Sequence, residues 1–152
     1  RNVRMTEMSA LIGRVQLSHL DEFLEQRRLI SSVYSEMLSE HPMIKLILPQ
    51  KTENSSYWKI PLLLDPMIDR LKITTAMKEA GISVDTTYQP AIHLQPVFRE
   101  LYGTAPGLLP TTEQVLSRHL CLPCHPRMTR ADAIFVSKTL LEIVNDSSVR
   151  LK

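Results

Sequence analysis

The chain has 152 residues, 43% of them hydrophobic and 22% charged, and its 18 basic and 16 acidic side chains leave a net charge of +2. That composition belongs to a folded soluble domain, and the charge is too small and too evenly spread for a dedicated nucleic-acid surface. Two cysteines cannot build a disulfide scaffold, and no apolar run approaches the ~18 residues a membrane span needs. Arg1-Asn2-Val3-Arg4 leads into no signal peptide, so the cytoplasm is the default location. A chain this long buries roughly 70% of its unfolded surface, enough for a real core. It opens on Arg rather than Met, so the expectation is a piece of something longer.

The first long pattern is helical. Met8, Leu11, Ile12, Val15, Leu20, Phe23, Leu24, Ile30, Val33, Tyr34, Met37 and Leu38 recur at three- and four-residue steps. Thr6 or Ser9 is placed to cap it, and His41-Pro42 stops it. Unbroken over 6–40 it would run about 50 Å at 1.5 Å per residue, whereas a domain of this size has a diameter below about 40 Å. Either the helix bends, near Gly13 or around Ser18–Asp21, or its first turns pack on something outside the chain, and both are expected. Left alone, the chain is expected to self-associate through that apolar stripe.

Beyond Pro42 the spacing predicts strands over 43–48 and 57–64, then a helix over 70–80 with Asp69 as its cap and Gly81 as its stop. A further strand is expected over 82–86. Two prolines and no period mark 88–96 as an ordered loop, followed by a short turn of helix over 97–101 and a loop over 103–110. A short helix over 111–119 leads into an extended stretch over 121–123. The last helix covers 129–144, opened by a Thr129/Asp132 capping box, with Ile134, Phe135, Leu140, Leu141 and Val144 as its apolar stripe. The tail after Asn145 is polar and expected to fray. Together these elements give an α+β fold, a small antiparallel or mixed sheet backed by helices and preceded by a long helix. The division falls into a contact helix over 1–41 and a small domain over 42–152.

Several residue clusters carry possible chemistry. His119, Cys121, Cys124 and His125 offer two thiols at C-x-x-C spacing and two imidazoles, nominally enough for zinc or for redox exchange. All four come from seven consecutive residues with proline-rich flanks, however, and the reading carried forward is that the cysteines are small apolar fillers at a strand end. His93 lies in a loop between prolines, a better place for function than a helix face. Trp58, the only Trp, reads as core or interface. Asn2 and Arg4 stand just ahead of a helix N-terminus, where backbone N–H groups favour an anion. No G-x-G-x-x-G, P-loop or G-x-S-x-G is present, so no catalytic constellation is complete.

Four segments in order carry a resemblance. Asn2-Val3-Arg4-Met5-Thr6-Glu7-Met8-Ser9-Ala10, followed by Gln16-Leu17, resembles the Asn-x-Arg-Met stretch of the pyridoxal-phosphate-dependent sugar aminotransferases of the DegT/StrS family. Gly81-Ile82 is similar to that family's Gly-Ile after a helix. Tyr88-Gln89-Pro90-Ala91-Ile92-His93-Leu94-Gln95-Pro96 resembles its Tyr-x-Pro-x-His-x-Gln-Pro loop. Leu122-Pro123-Cys124-His125-Pro126-Arg127-Met128-Thr129 resembles its Leu-Pro-x-His-Pro-x-Met-Thr. The family often has His where Trp58 stands, and Cys121 and Cys124 replace residues that are commonly Ser and an aliphatic.

The resemblance implies the C-terminal domain of a fold-type-I aminotransferase. The whole enzyme would transfer an amino group, from glutamate, to a nucleotide-linked keto sugar in polysaccharide or antibiotic-sugar biosynthesis. It implies pyridoxal 5'-phosphate held mainly by an N-terminal large domain, a homodimer, and a Schiff-base lysine upstream of the Asn-x-Arg motif. None of Lys45, Lys51, Lys59, Lys72, Lys78, Lys138 or Lys152 stands in that lysine's context, so no catalytic residue is assigned here and the chain alone is expected to be inactive. Asn2 matches the asparagine that reaches the cofactor phosphate of the other subunit. Arg4, Tyr88 and His93 match residues on the substrate side. No metal, nucleic-acid or membrane partner is implied. The competing expectation is a free-standing, non-catalytic binding or assembly domain.

Overall fold

Thr6 opens the first helix, its hydroxyl accepting the Ser9 N–H at 3.2 Å, as the sequence predicts. In the computed structural model, which describes residues 4–50, 53–86 and 88–151, α1 runs Glu7–Ser18 and α2 runs Leu20–Leu38. The break is His19, with φ −101° and ψ 4°, inside the second of the two places expected from length alone. Ser18 Oγ donates to the Val15 carbonyl at 2.7 Å, a side-chain bond that competes with the helix ladder and favours a bend. The two halves then differ sharply. α1 buries no residue, whereas α2 buries Ile30, Val33, Tyr34 and Leu38.

Three strands form an antiparallel sheet in the order β1 (Ile44–Leu46), β2 (Ile60–Leu64), β3 (His119–Leu122). Ile44 pairs with Leu64, and Ile60 with Leu122. Along β2, Ile60, Leu62 and Leu64 are buried while Pro61 and Leu63 are half-buried, the period-two pattern of a strand with one face in the core. That face meets Leu120 and Leu122 in one apolar cluster with Ile30, Tyr34, Ile73, Met77 and Leu140, so α2, α3 (Arg70–Glu79) and α6 (Arg130–Asn145) back the same side of the sheet. The Tyr34 hydroxyl donates to the Pro123 carbonyl at 2.8 Å, which satisfies its one polar atom inside the core.

One expected strand needs correction, and the expected extended stretch over 121–123 is part of the sheet, shifted toward His119. The segment over 82–86 contributes a single bridge, Asp85 to Cys121, and the third strand is His119–Leu122 instead. The Cys121 N–H donates to the Asp85 carbonyl at 2.7 Å, and the Asp85 N–H returns a bond at 3.0 Å. Cys121 therefore spends its backbone groups away from β2, where its partner is Pro61, a residue with no N–H to offer. All four β3 residues are buried, which removes the alternation that marks a strand in sequence.

The caps are those expected. Asp69 Oδ1 accepts the Leu71 and Lys72 N–H groups at the start of α3, and Gly81, at φ +77°, ends it in the left-handed conformation that glycine adopts freely. Thr129 and Asp132 form the capping box of α6. Its buried residues are Ala133, Val136, Ser137, Leu140 and Val144, so the expected stripe holds at Leu140 and Val144, but Phe135 is 55% exposed. The tail does not fray as expected. Asp146 accepts the Ser148 N–H, Val149 is buried, and the Asp69 N–H donates to the Val149 carbonyl at 2.8 Å. No helix among the described residues is long and apolar enough to cross a membrane.

Candidate functional site

The loop over 88–95 is built by unusual local choices. Tyr88 sits at φ +72° and is 59% exposed. Gln89 Nε2 donates to the Leu116 carbonyl, and Gln95 Nε2 donates to the Pro90 carbonyl at 2.9 Å, so the loop is tied at both ends. Between them Ile92–Leu94 makes one 3-10 turn that turns His93 inward, leaving it 7% exposed.

His93 Nε2 lies 3.0 Å from Glu113 Oε1. Glu113 belongs to α5 (Pro110–Arg118), and its carboxylate also accepts the Gly107 N–H at 2.8 and 3.0 Å and the Leu109 N–H at 3.3 Å. The His93 contact first, and then those amide donors, hold the Glu113 carboxyl below its ordinary pKa. A carboxylate has no proton to give, so the hydrogen in this contact comes from Nε2 of the ring, an arrangement that in the neutral tautomer puts the lone pair on Nδ1. A second tie joins the same pieces, the Thr104 hydroxyl donating to the His93 carbonyl. Beside them lies an open, largely apolar depression of 520 Å³ lined by Ile92, His93, Phe98, Tyr102, Thr104 and Leu109.

Of the residues singled out from the sequence, Tyr88 and His93 thus share one loop. Arg4 stands exposed ahead of α1, and Asn2 lies outside the described residues. Trp58 is 62% exposed, so it is not part of this chain's core. Lys59 Nζ sits 4.6 Å from its ring centroid and is bonded to Asp85. Sequence reasoning missed Glu113. The available signal was an acid in the first turn of a helix after Gly107 and Pro110, which reads as capping and gives no hint of a histidine twenty residues back.

The C-x-x-C segment does not assemble a site. Cys121 and Cys124 are buried free thiols, His125 is exposed, and no group of three or more metal-ligating side chains stands together among the described residues. Burial pushes the Cys124 thiol up to about 11 and raises that of Cys121, the opposite of what a reactive thiolate requires. The filler reading accounts for both cysteines.

The described residues form no cradle for a phosphorylated cofactor. The α1 N-terminus is already capped by Thr6, with Glu7 in its first turn, which weakens that end as an anion site. Every described lysine is exposed or half-exposed, and none is enclosed in a cofactor-sized cradle.

The site thus stands on a helix-backed three-stranded antiparallel sheet, and the comparisons with known proteins give that fold its class. The model of the DegT/DnrJ/EryC1/StrS aminotransferase family matches residues 1–141, and the chain belongs to that family. It is 28% identical over 142 residues to the dTDP-4-amino-4,6-dideoxy-D-glucose transaminase of Escherichia coli, a match that covers 92% of this chain and 38% of that protein. It is 31% identical over 142 residues to the pleiotropic regulatory protein of Geobacillus stearothermophilus, covering 93% of this chain and 37% of that protein. Among solved structures, Helicobacter pylori PseC, an aminotransferase involved in the biosynthesis of pseudoaminic acid, superposes with a TM-score of 0.86 at 21% identity over 95% of this chain and 38% of its own. That likeness shows the fold. The chain thus spans a little over a third of the length of the proteins it matches.

Proposed function

We propose that this chain is the C-terminal portion of a pyridoxal-phosphate-dependent aminotransferase acting on a nucleotide-linked keto sugar. The reaction replaces the sugar C=O by C–NH2 while glutamate becomes 2-oxoglutarate, and the product feeds cell-surface polysaccharide or antibiotic sugars. The observation that carries this reading is the family match over residues 1–141. When bound, the cofactor supplies the electron sink for amino transfer. It is held mainly by an N-terminal domain, which also provides the Schiff-base lysine, and the chain by itself is inactive. That every described lysine is exposed or half-buried supports that division.

Within this reading Asn2 reaches the cofactor phosphate of the second subunit of a cytoplasmic homodimer, Arg4 binds an anionic substrate group with its guanidinium fork, and Tyr88 and His93 face the sugar. Contact with the large domain and the second subunit is made by α1, whose Met8, Leu11, Ile12 and Val15 are exposed, while α2 belongs to the small domain's core.

The complete protein, supplied with cofactor, glutamate and a panel of keto-sugar nucleotides, is expected to yield an amino sugar and 2-oxoglutarate in equal amounts, and His93→Ala is expected to lower the yield. Absence of amino transfer across the panel would sink the enzymatic reading. The same observation about lysine exposure also fits a second one, a non-catalytic assembly or binding domain. Intact mass of the native product separates the two: a mass near that of the 152 residues favours the second reading and a much larger one removes it.

A further inference from the structure

One carboxylate gathers three pieces of chain. Glu113 binds the imidazole of the 92–94 turn, the amide of Gly107 and the amide of Leu109. Gly107 lies at φ +88°, so its N–H is presented by a conformation that β-carbon-bearing residues avoid. The helix that carries Glu113 has no other side-chain cap, and Thr104 closes the ring by donating to the His93 carbonyl. The result is a loop pair, 88–95 and 103–109, joined by two side chains, of which Glu113 alone holds the imidazole.

We propose that Glu113 is a positioning residue for the sugar-binding loop: it holds His93 with Nε2–H turned to the carboxylate, leaves Nδ1 as the acceptor for a donor group of the sugar nucleotide, and fixes the 103–109 turn beside it. The inference rests on the reading of His93 as a substrate-side residue. The chemistry is that of any histidine locked by a carboxylate, where the partner at one nitrogen decides what the other can do. Removing Glu113 leaves the ring free to take either tautomer and to rotate, so Nδ1 is no longer held in place for the substrate. On this proposal the loop meets the sugar and not the amino donor, so only the sugar half of the reaction should respond.

The test uses the complete protein as wild type, Glu113→Ala, Glu113→Gln, His93→Asn and the Glu113→Ala/His93→Asn double variant. The expected result is a rise of about tenfold in KM for the keto-sugar nucleotide in Glu113→Ala, with single-turnover formation of 2-oxoglutarate from glutamate unchanged. Glu113→Gln should recover most of the loss, since its amide oxygen still accepts from Nε2–H. In the His93→Asn background the alanine substitution should add less than about twofold, the signature of action through His93. Equal effects in both backgrounds, or a matching loss in the glutamate half-reaction, would overturn the proposal while leaving the aminotransferase reading intact. Should the alanine variant not fold, Glu113→Asp, which keeps the charge and shortens its reach, runs the same cycle with the same expected and overturning results. Imidazole 15N shifts provide a readout apart from activity. His93 should carry its proton on Nε2 in the wild type and lose that preference in Glu113→Ala; a preference that survives the substitution overturns the proposal even if no amino transfer is found.

Discussion

Thr129 and Asp132 show how much one exposed pair can decide. The Thr129 N–H donates to Asp132 Oδ2 at 2.7 Å, and the Asp132 N–H donates to Thr129 Oγ1 at 3.2 Å. Thr129→Ala is expected to cost about 1 kcal/mol in urea unfolding; a loss below a few tenths would mean that packing against α2 alone starts α6. Asp132, Asp146 and Glu113 all have carboxyls below their ordinary range. The first two are held down by the backbone amides they cap, those of Thr129 and Ser148, and Glu113 mainly by His93. A carboxyl whose folded pKa lies below its unfolded value stabilises fully above the unfolded value, near 4, and that stability disappears as pH falls through the folded value. Melting temperature should therefore hold level above about pH 5 and drop below about pH 4, and Asp132→Asn should shrink the drop; an unchanged acid limb would contradict this. His119 is the opposite case. Its Nδ1 lies 3.0 Å from the Leu116 carbonyl, which already receives Arg70 at 2.7 Å, while Nε2 is buried without a partner among the described residues. His119→Phe should be neutral or stabilising, by up to about 1 kcal/mol, and a clear loss would reveal a partner for Nε2.

At the scale of elements, α1 and α2 have the same kind of apolar spacing and opposite fates. The sequence period shows that each has an apolar face, and the dimension argument shows that one straight rod is too long. Which half is covered follows from the sheet and α6, and those meet α2, at Ile30, Val33, Tyr34 and Leu38 with Met37 packed beside them. A Leu11→Glu/Val15→Glu variant of the 152-residue chain should scatter less light at equal concentration and keep its stability within about 0.5 kcal/mol, as exposed positions do. If association persists, another surface carries it. The third strand makes a related point. His-Leu-Cys-Leu has no polar alternation because Leu120 and Leu122 meet the core while His119 and Cys121 are covered on the other side, and a four-residue apolar run of that kind has no distinctive period.

For the molecule as a whole, the C-terminal tail is a structural part. Ile68 bridges to Arg150, Lys72 Nζ donates to the Ser148 carbonyl at 2.6 Å, and the Leu151 N–H donates to the Met67 carbonyl at 2.8 Å. These bonds seat Val149 in the same cluster as Met77 and Val144. Deleting residues 147–152 should cost about 2 kcal/mol or more, since a buried valine alone is worth roughly that; an unchanged denaturation midpoint would mean that the tail merely lies on the surface. Polar composition hid this, because the tail is held mostly by backbone bonds, and those leave no mark on residue type.

The sequence by itself determined the family, the α+β class, the caps at Asp69 and Thr129, the stop at Gly81 and, to within two choices, the first cap (Thr6 or Ser9) and the place of a bend (Gly13 or Ser18–Asp21). Each of these depends on residues close together in the chain or on four ordered motifs. Only the tertiary structure decided that His119–Leu122 completes the sheet, that α2 enters the core while α1 stays outside it, and that His93 turns inward onto Glu113. These depend on groups distant in sequence, and a carboxylate's choice between capping its own helix and holding a histidine across a turn is settled by where the fold brings the ring.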